Sequence, residues 1–95
     1  MADRVYRQKE GIVSRQIAGE TILVPVMGSL ASMQKIFMLN GIGEFIWDRL
    51  DGLKSLRSIS EEIGEQFGLG SEQAFADSEE FVLELLREGL AEEVA

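Results

Sequence analysis

Any chemistry in this chain would have to come from carboxylates and hydroxyls, because the sequence has no histidine and no cysteine. That removes imidazole general bases, thiolate nucleophiles and the His or Cys ligands of a zinc-activated water. The carboxylates are numerous but poorly placed for acid–base work. Glu61-Glu62 and Glu79-Glu80 are adjacent pairs, and helix neighbours diverge by about 100° instead of converging on one substrate. Glu61 and Glu65, at i and i+4, do share a face and would suit a hard cation, yet solvated carboxylates are the ordinary covering of an exposed helix. Ser29, Ser32, Ser55, Ser58, Ser60, Ser71 and Ser78 have no base to activate them. Gly41-Ile42-Gly43 lacks the third glycine and the following lysine of a phosphate cradle, so it reads as a strand-to-helix junction or a place of close packing. A non-enzymatic chain that holds a partner is what remains, with no cofactor and no metal of its own.

The elements that would position such a binding surface follow from the hydrophobic periods. Ile12 to Ile17 (IVSRQI) alternates imperfectly, Ala18-Gly19-Glu20 turns the chain, and TILVPV from Thr21 is a β-branched run. A hairpin is expected there, with Pro25 at a strand end or on an edge. Met27 to Gln34 carries no strong period and reads as a loop, after which Lys35 to Leu39 (KIFML) forms a third strand ended by Asn40-Gly41. The patterning shows three strands and no more, so the sheet must have an edge.

The period then becomes helical. Ile42, Phe45, Ile46, Arg49 and Leu50 share a face, with Asn40 as N-cap and Gly52 as a stop, and Trp47 lies beside this stripe to pack partly against a neighbour. A second helix runs from Leu56 to about Phe67 behind Ser55, with Ser58 and Glu61 offering an alternative capping box and Gly68 and Gly70 closing it. The third begins after Ser71 and extends to Arg87 or Glu88, with Gly89 as terminator. Its apolar lines, Ala74–Ser78–Phe81–Leu85 and Phe75–Val82–Leu86, together cover roughly 140°, whereas about 100° is the usual minimum for covering a core. Asp77, Glu80, Glu84 and Glu88 take the opposite face.

Length and charge narrow the partner. Ninety-five residues make one domain, 1–95, whose stability rests on apolar burial alone. Residues 1–40 carry five basic and three acidic groups and residues 41–95 four and fourteen, net +2 and −10. The total of −8 repels phosphate backbones and argues against nucleic acid. The acid-rich half reads either as solvated helix faces or as a field selecting basic partner segments. The N-terminus is polar and no apolar run approaches the roughly 18 residues of a membrane span, so a cytoplasmic protein without membrane contact is expected.

Two features could hold a peptide: the sheet edge at Lys35–Leu39, open to strand addition, and the broad apolar face of the third helix. Periodicity leaves open whether these residues, Phe75, Val82 and Leu86 among them, are simply core.

At IFMLNGIGEFIWDRLDG, residues 36–52, the chain resembles the PqqD-like family, the small peptide chaperones (RiPP recognition elements) of ribosomal peptide modification. The likeness continues through SLRSISEEIGEQFG and resumes at Ala74, Asp77, Phe81, Leu85 and Gly89-Leu90, while Val13, Arg15 and ILVP resemble the opening hairpin; together it covers about residues 10–92. The resemblance implies an α+β, winged-helix-like fold: a three-stranded antiparallel sheet followed by three helices. It implies that the leader of a precursor peptide adds to the third strand, lies against the third helix, and is presented to a modifying enzyme, often a radical SAM protein whose iron–sulfur cluster is the partner's own. By position, Lys35, Ile36, Phe37, Met38 and Leu39 supply the docking edge, Phe75, Ser78, Val82 and Leu86 line the groove, and Glu79 is a polar contact at its rim. The family serves several pathways, so pyrroloquinoline quinone is one product among others. The rival readings are a winged-helix nucleic-acid binder and a structural subunit using the same apolar face, a homodimer included.

Overall fold

Along β2 (Ile12–Ile17) and β3 (Glu20–Pro25) every residue of the hairpin is in register, from Ile12 opposite Pro25 to Ile17 opposite Glu20. Only Ala18 and Gly19 lie between, and both take positive φ (54° and 82°), as a two-residue turn must if its twist is to match the strands. Pro25 stands at the end of its strand, where the missing N–H costs nothing to the ladder. The computed structural model describes residues 3–26 and 37–94, so the expected loop Met27–Gln34 and the first part of the expected third strand, Lys35 and Ile36, lie outside the described residues. The chain re-enters as β4 (Phe37–Leu39), antiparallel to β3 with Leu23 opposite Phe37 and Thr21 opposite Leu39. This is the expected three-stranded antiparallel sheet, in the order β2-β3-β4.

Three helices follow: α1 (Gly41–Asp48), α2 (Leu56–Phe67) and α3 (Ser71–Arg87). Their caps are largely those the sequence offers. Ser55 accepts the Ser58 N–H through its hydroxyl, so α2 starts there and the alternative box at Ser58 goes unused. Gly68 closes α2 in the left-handed conformation (φ 67°) that a side chain would strain.

A second sheet, order β5-β1-β6, corrects the count of three strands. Its members are β1 (Val5–Gln8), β5 (Asp51–Ser55) and β6 (Ala91–Glu93). None has a strand's sequence pattern: VYRQ, DGLKS and AEE are short, polar and poor in β-branched residues. They are strands because partners distant in sequence hold them. Arg7 lies directly opposite Glu92 and ion-pairs with it at 2.7 Å, and Arg4 pairs with Glu93 at 2.8 Å. The basic start and the acidic end of the chain are thus cross-strand neighbours, and part of the charge asymmetry is used internally. Gly52, expected to stop the first helix, instead sits inside β5 at φ 81°, with Arg7 facing the place of its missing side chain. The helix already ends at Arg49, whose N–H reaches the Ile46 carbonyl.

The core lies between the sheets and helices and draws on nearly every element: Tyr6, Leu23, Leu39, Ile46, Leu56, Ile63 and Leu85 are all buried within it. Trp47, placed by periodicity beside the stripe, is in fact among the largest fully closed side chains at 2% exposure. Gln8 on β1 donates to its main-chain carbonyl at 2.7 Å, and the Gln8 N–H bonds the Leu50 carbonyl at 3.1 Å, so the second sheet laces the end of α1 inward.

The cations that a nucleic-acid reading would need are engaged elsewhere. Glu62 binds Arg49 at 3.1 Å and Lys54 at 3.0 Å, Arg49 covers the Phe45 ring at 3.3 Å, and Arg57 faces Asp3 at 3.6 Å. The Lys54 ammonium, and after it the Arg49 guanidinium, hold the Glu62 carboxyl below its ordinary value of 4.5 against a partial desolvation penalty. A folded-state value lower than the unfolded one contributes stability above the unfolded value, and that contribution is lost as pH falls through the folded one. Glu62→Gln is therefore expected to lower the urea midpoint at neutral pH and to match the parent once pH is well below 4.5, seen as a shallower acid limb in urea titrations at stepped pH.

Candidate functional site

β4 has a strand neighbour on one side only among the described residues, which leaves its other edge able to pair. Phe37 and Leu39 point to the core side with Leu23 and Thr21, while Met38 points outward opposite Ile22 and is 56% exposed. The strand stops at Asn40, whose carboxamide oxygen accepts the Gly43 N–H at 2.7 Å and whose carbonyl accepts that of Glu44 at 2.9 Å. Strand end and helix start are thereby one rigid corner, fastened to β3 by the Thr21 hydroxyl donating to Glu44 at 2.7 Å. Asn40→Ala is expected to cost about 1 kcal/mol, with Asn40→Asp close to parent, measured by urea unfolding.

α3 reaches this corner through Phe81. Its ring lies 6.2 Å from that of Phe37 in an edge-on arrangement. A side chain at Gly43 would meet the same ring at 3.1 Å, so glycine is what lets α3 approach α1 so closely. Gly41, by contrast, has open space around it. Of the two roles expected for this pair, close packing belongs to Gly43. Between corner and helix runs an open groove of about 290 Å³, lined by Asn40, Ile42, Gly43, Asp77, Glu80, Phe81 and Glu84. It is slightly smaller than the usual enclosed small-molecule site of roughly 300–1,000 Å³, and its openness suits side chains of an extended segment.

The nominated residues of α3 fall elsewhere. Ser78 and Val82 are 0% exposed, and the Ser78 hydroxyl is already satisfied by the Ala74 carbonyl at 2.7 Å. They pack beneath the surface and offer nothing to a ligand directly. Phe75 and Glu79 are half-buried in a recess shared with Arg57, Ser60 and Glu61, towards α2. Leu86 lines another recess with Arg4, Tyr6, Leu83 and Glu93, towards the second sheet. At about 100° per residue, Phe81 and Phe75 are roughly 120° apart, on opposite flanks of the buried stripe. The structure brings Phe37 and the end of β4 to the Phe81 flank, away from the recesses that hold Phe75, Glu79 and Leu86. Phe81, Ile42 and the acidic row Asp77, Glu80 and Glu84 were not nominated. The signal that could have found them is glycine at position 43, which marks the place where an aromatic of α3 must come close.

A family model described as coenzyme PQQ synthesis protein D (PqqD) matches residues 20–91. The chain belongs to the PqqD family. Comparison with curated proteins gives no match. Two solved structures share the PqqD-like fold of this chain. One, described as TbiB1 in complex with the TbiA(beta) leader peptide, is 22% identical with a TM-score of 0.74 over 94% of this chain and 98% of the other. The second, lasso peptide synthetase B1 complexed with the leader peptide, is 18% identical with a TM-score of 0.75 over 92% and 96%. β1, β2 and most of β6 lie outside the residues matched by the family model, 20–91, while each of the two structural likenesses spans more than nine-tenths of the chain.

Proposed function

We propose that this PqqD-family chain, a single domain over residues 1–95, binds the leader of a ribosomally made precursor peptide by strand addition to β4. It presents the rest of that peptide to a modifying enzyme and has no turnover of its own. The observation that carries this is the one-sided β4 edge ending beside the Phe81 groove, where backbone pairing and side-chain seating are available together. Two solved proteins of the same fold being described as leader-peptide complexes supports the same occupant. The contact set is Phe37, Met38 and Leu39 for the edge and Ile42 and Phe81 for the seat, with Lys35 and Ile36, outside the described residues, retained as expected contacts from the sequence.

The chain acts in the cytoplasm in this reading, where precursor peptides are made. Docking turns a two-body encounter between a flexible peptide and an enzyme into a local one, which is how a protein without catalytic groups accelerates a modification. The enzyme proposed is a radical SAM protein, and its iron–sulfur cluster is its own, because this chain offers no cysteine or histidine ligand.

The test is a backbone amide NMR titration with the leader peptide encoded nearest the gene. Saturable shifts concentrated on residues 37–39 and on α3 around Phe81 are expected. Silence across a panel of such leaders would reject the reading and move a structural-subunit role, read from oligomeric state, ahead of it.

A further inference from the structure

The groove beside β4 has a sign. Three of its lining residues, Asp77, Glu80 and Glu84, are acidic, and no cation is among the lining residues. Elsewhere several acidic groups meet arginine or lysine: Glu92 and Glu93 pair with Arg7 and Arg4, and Glu62 with two cations. Here they do not. Asp77 takes a neutral hydrogen bond from Gln73 at 2.8 Å, and the Glu80 and Glu84 side chains have no ion-pair or hydrogen-bond partner among the described residues. Carboxylates on one helix face at i, i+3 and i+7 repel one another mildly, so their placement stabilises nothing in the isolated chain.

Ile42 and Phe81 supply the apolar part of the same groove, and the Phe81 ring reaches Phe37 of β4. We infer that the groove selects a leader segment that carries basic side chains and an apolar one on the same face of the strand. This inference rests on the peptide-docking reading above and adds the chemistry of the peptide. The spacing fits an extended occupant. At about 1.5 Å rise per residue, Glu80 and Glu84 are about 6 Å apart along the helix, close to the roughly 6.6 Å between alternate side chains of a strand. A segment laid along α3 presents lysine or arginine at i and i+2 to the two carboxylates. The net charge of −8 on the whole chain reinforces the selection by steering a basic segment towards it.

The experiment compares the full chain with its E80Q/E84Q double variant, using the leader peptide encoded nearest the gene and a version with its Lys and Arg replaced by Gln. Affinities are taken by fluorescence anisotropy at low and high salt, and the docking position by amide shifts at residues 37–39 and 81. Both substituted positions are exposed, so the fold is expected to be unaffected. The expected result is about fivefold weaker binding for the double variant at low salt, nearly erased at about 0.5 M salt, and no further loss when the neutralised leader is used. Leader binding at β4 that ignores the variant, the salt and the neutralised peptide would overturn the charge selection and leave peptide docking standing. No binding by the parent chain, or shifts confined to other surfaces, would overturn both.

Discussion

Trp47→Ala is expected to remove a large part of the stability of this domain. Filling a site closed to 2% exposure, the indole contacts a core that draws on both sheets and all three helices. Truncating a buried aromatic to alanine costs about 3–5 kcal/mol in lost transfer energy and residual cavity, against a total of roughly 5–15 kcal/mol for a domain. Little can collapse into the space, because α1 is held at one end by the Asn40 cap and at the other by Gln8 bonding the Trp47 carbonyl. That last bond uses the main chain and survives the substitution, so the loss reports on packing alone. Urea unfolding followed by far-ultraviolet circular dichroism is the measurement, since the variant lacks the chain's one tryptophan as a fluorescent probe. A midpoint lower by about 2 M is expected, with Trp47→Phe intermediate. A loss below about 1 kcal/mol would mean that the α1 end of the core is far more plastic than its burial implies.

How such a residue reads from sequence alone shows where sequence reasoning reaches. Periodicity identified α1 correctly but placed Trp47 at the margin of its stripe, because one helix's period assumes one covering surface. Here α1 is covered from two directions: β4 and α2 on one hand, β1 through Gln8 on the other. The second covering layer was not legible. Arg7 faces Glu92 across the ladder, 85 residues away in sequence, and nothing local in VYRQ or AEE announces a strand. Caps and turns, whose determinants lie within three or four residues, were legible: Asn40, Ser55, Gly68 and the Ala18-Gly19 turn behave as their local chemistry dictates.

The same division runs through the candidate site. The strand edge at Phe37–Leu39 follows from local pattern and from the short sheet it belongs to. The flank of α3 that meets this edge does not, since Phe75, Phe81 and Leu86 are all plausible borders of one wide apolar face. Ser78 and Val82, between the flanks, are core. What decides the matter is the approach of α3 to the corner at Gly43, a tertiary fact. The acidic row, which sequence reasoning assigned to the far side, consequently lines the groove with Phe81.

Phe81→Ala is accordingly expected to weaken leader binding more than tenfold, and the comparison that gives this meaning is with the other flank. The ring forms the apolar floor beside Phe37 and fills the space left open by Gly43. Its loss removes both a seat for a leader side chain and the edge-on contact that fixes Phe37, the latter alone about 0.5–1.5 kcal/mol. Tenfold corresponds to about 1.4 kcal/mol, so a ring contributing seat and support together readily exceeds it. Phe81 is only partly buried, and the stability cost is expected near 2 kcal/mol, below that of a fully closed phenylalanine. Urea unfolding therefore precedes each titration, so that affinity is compared between folded chains. Phe81→Leu keeps much of the volume and is expected to recover part of the binding. Phe75→Ala and Leu86→Ala, on the opposite flank, are expected to change leader affinity less than about twofold. The reverse pattern, with Phe75 or Leu86 indispensable and Phe81 dispensable, would move the docking surface across the buried stripe to the recesses facing α2 and the second sheet.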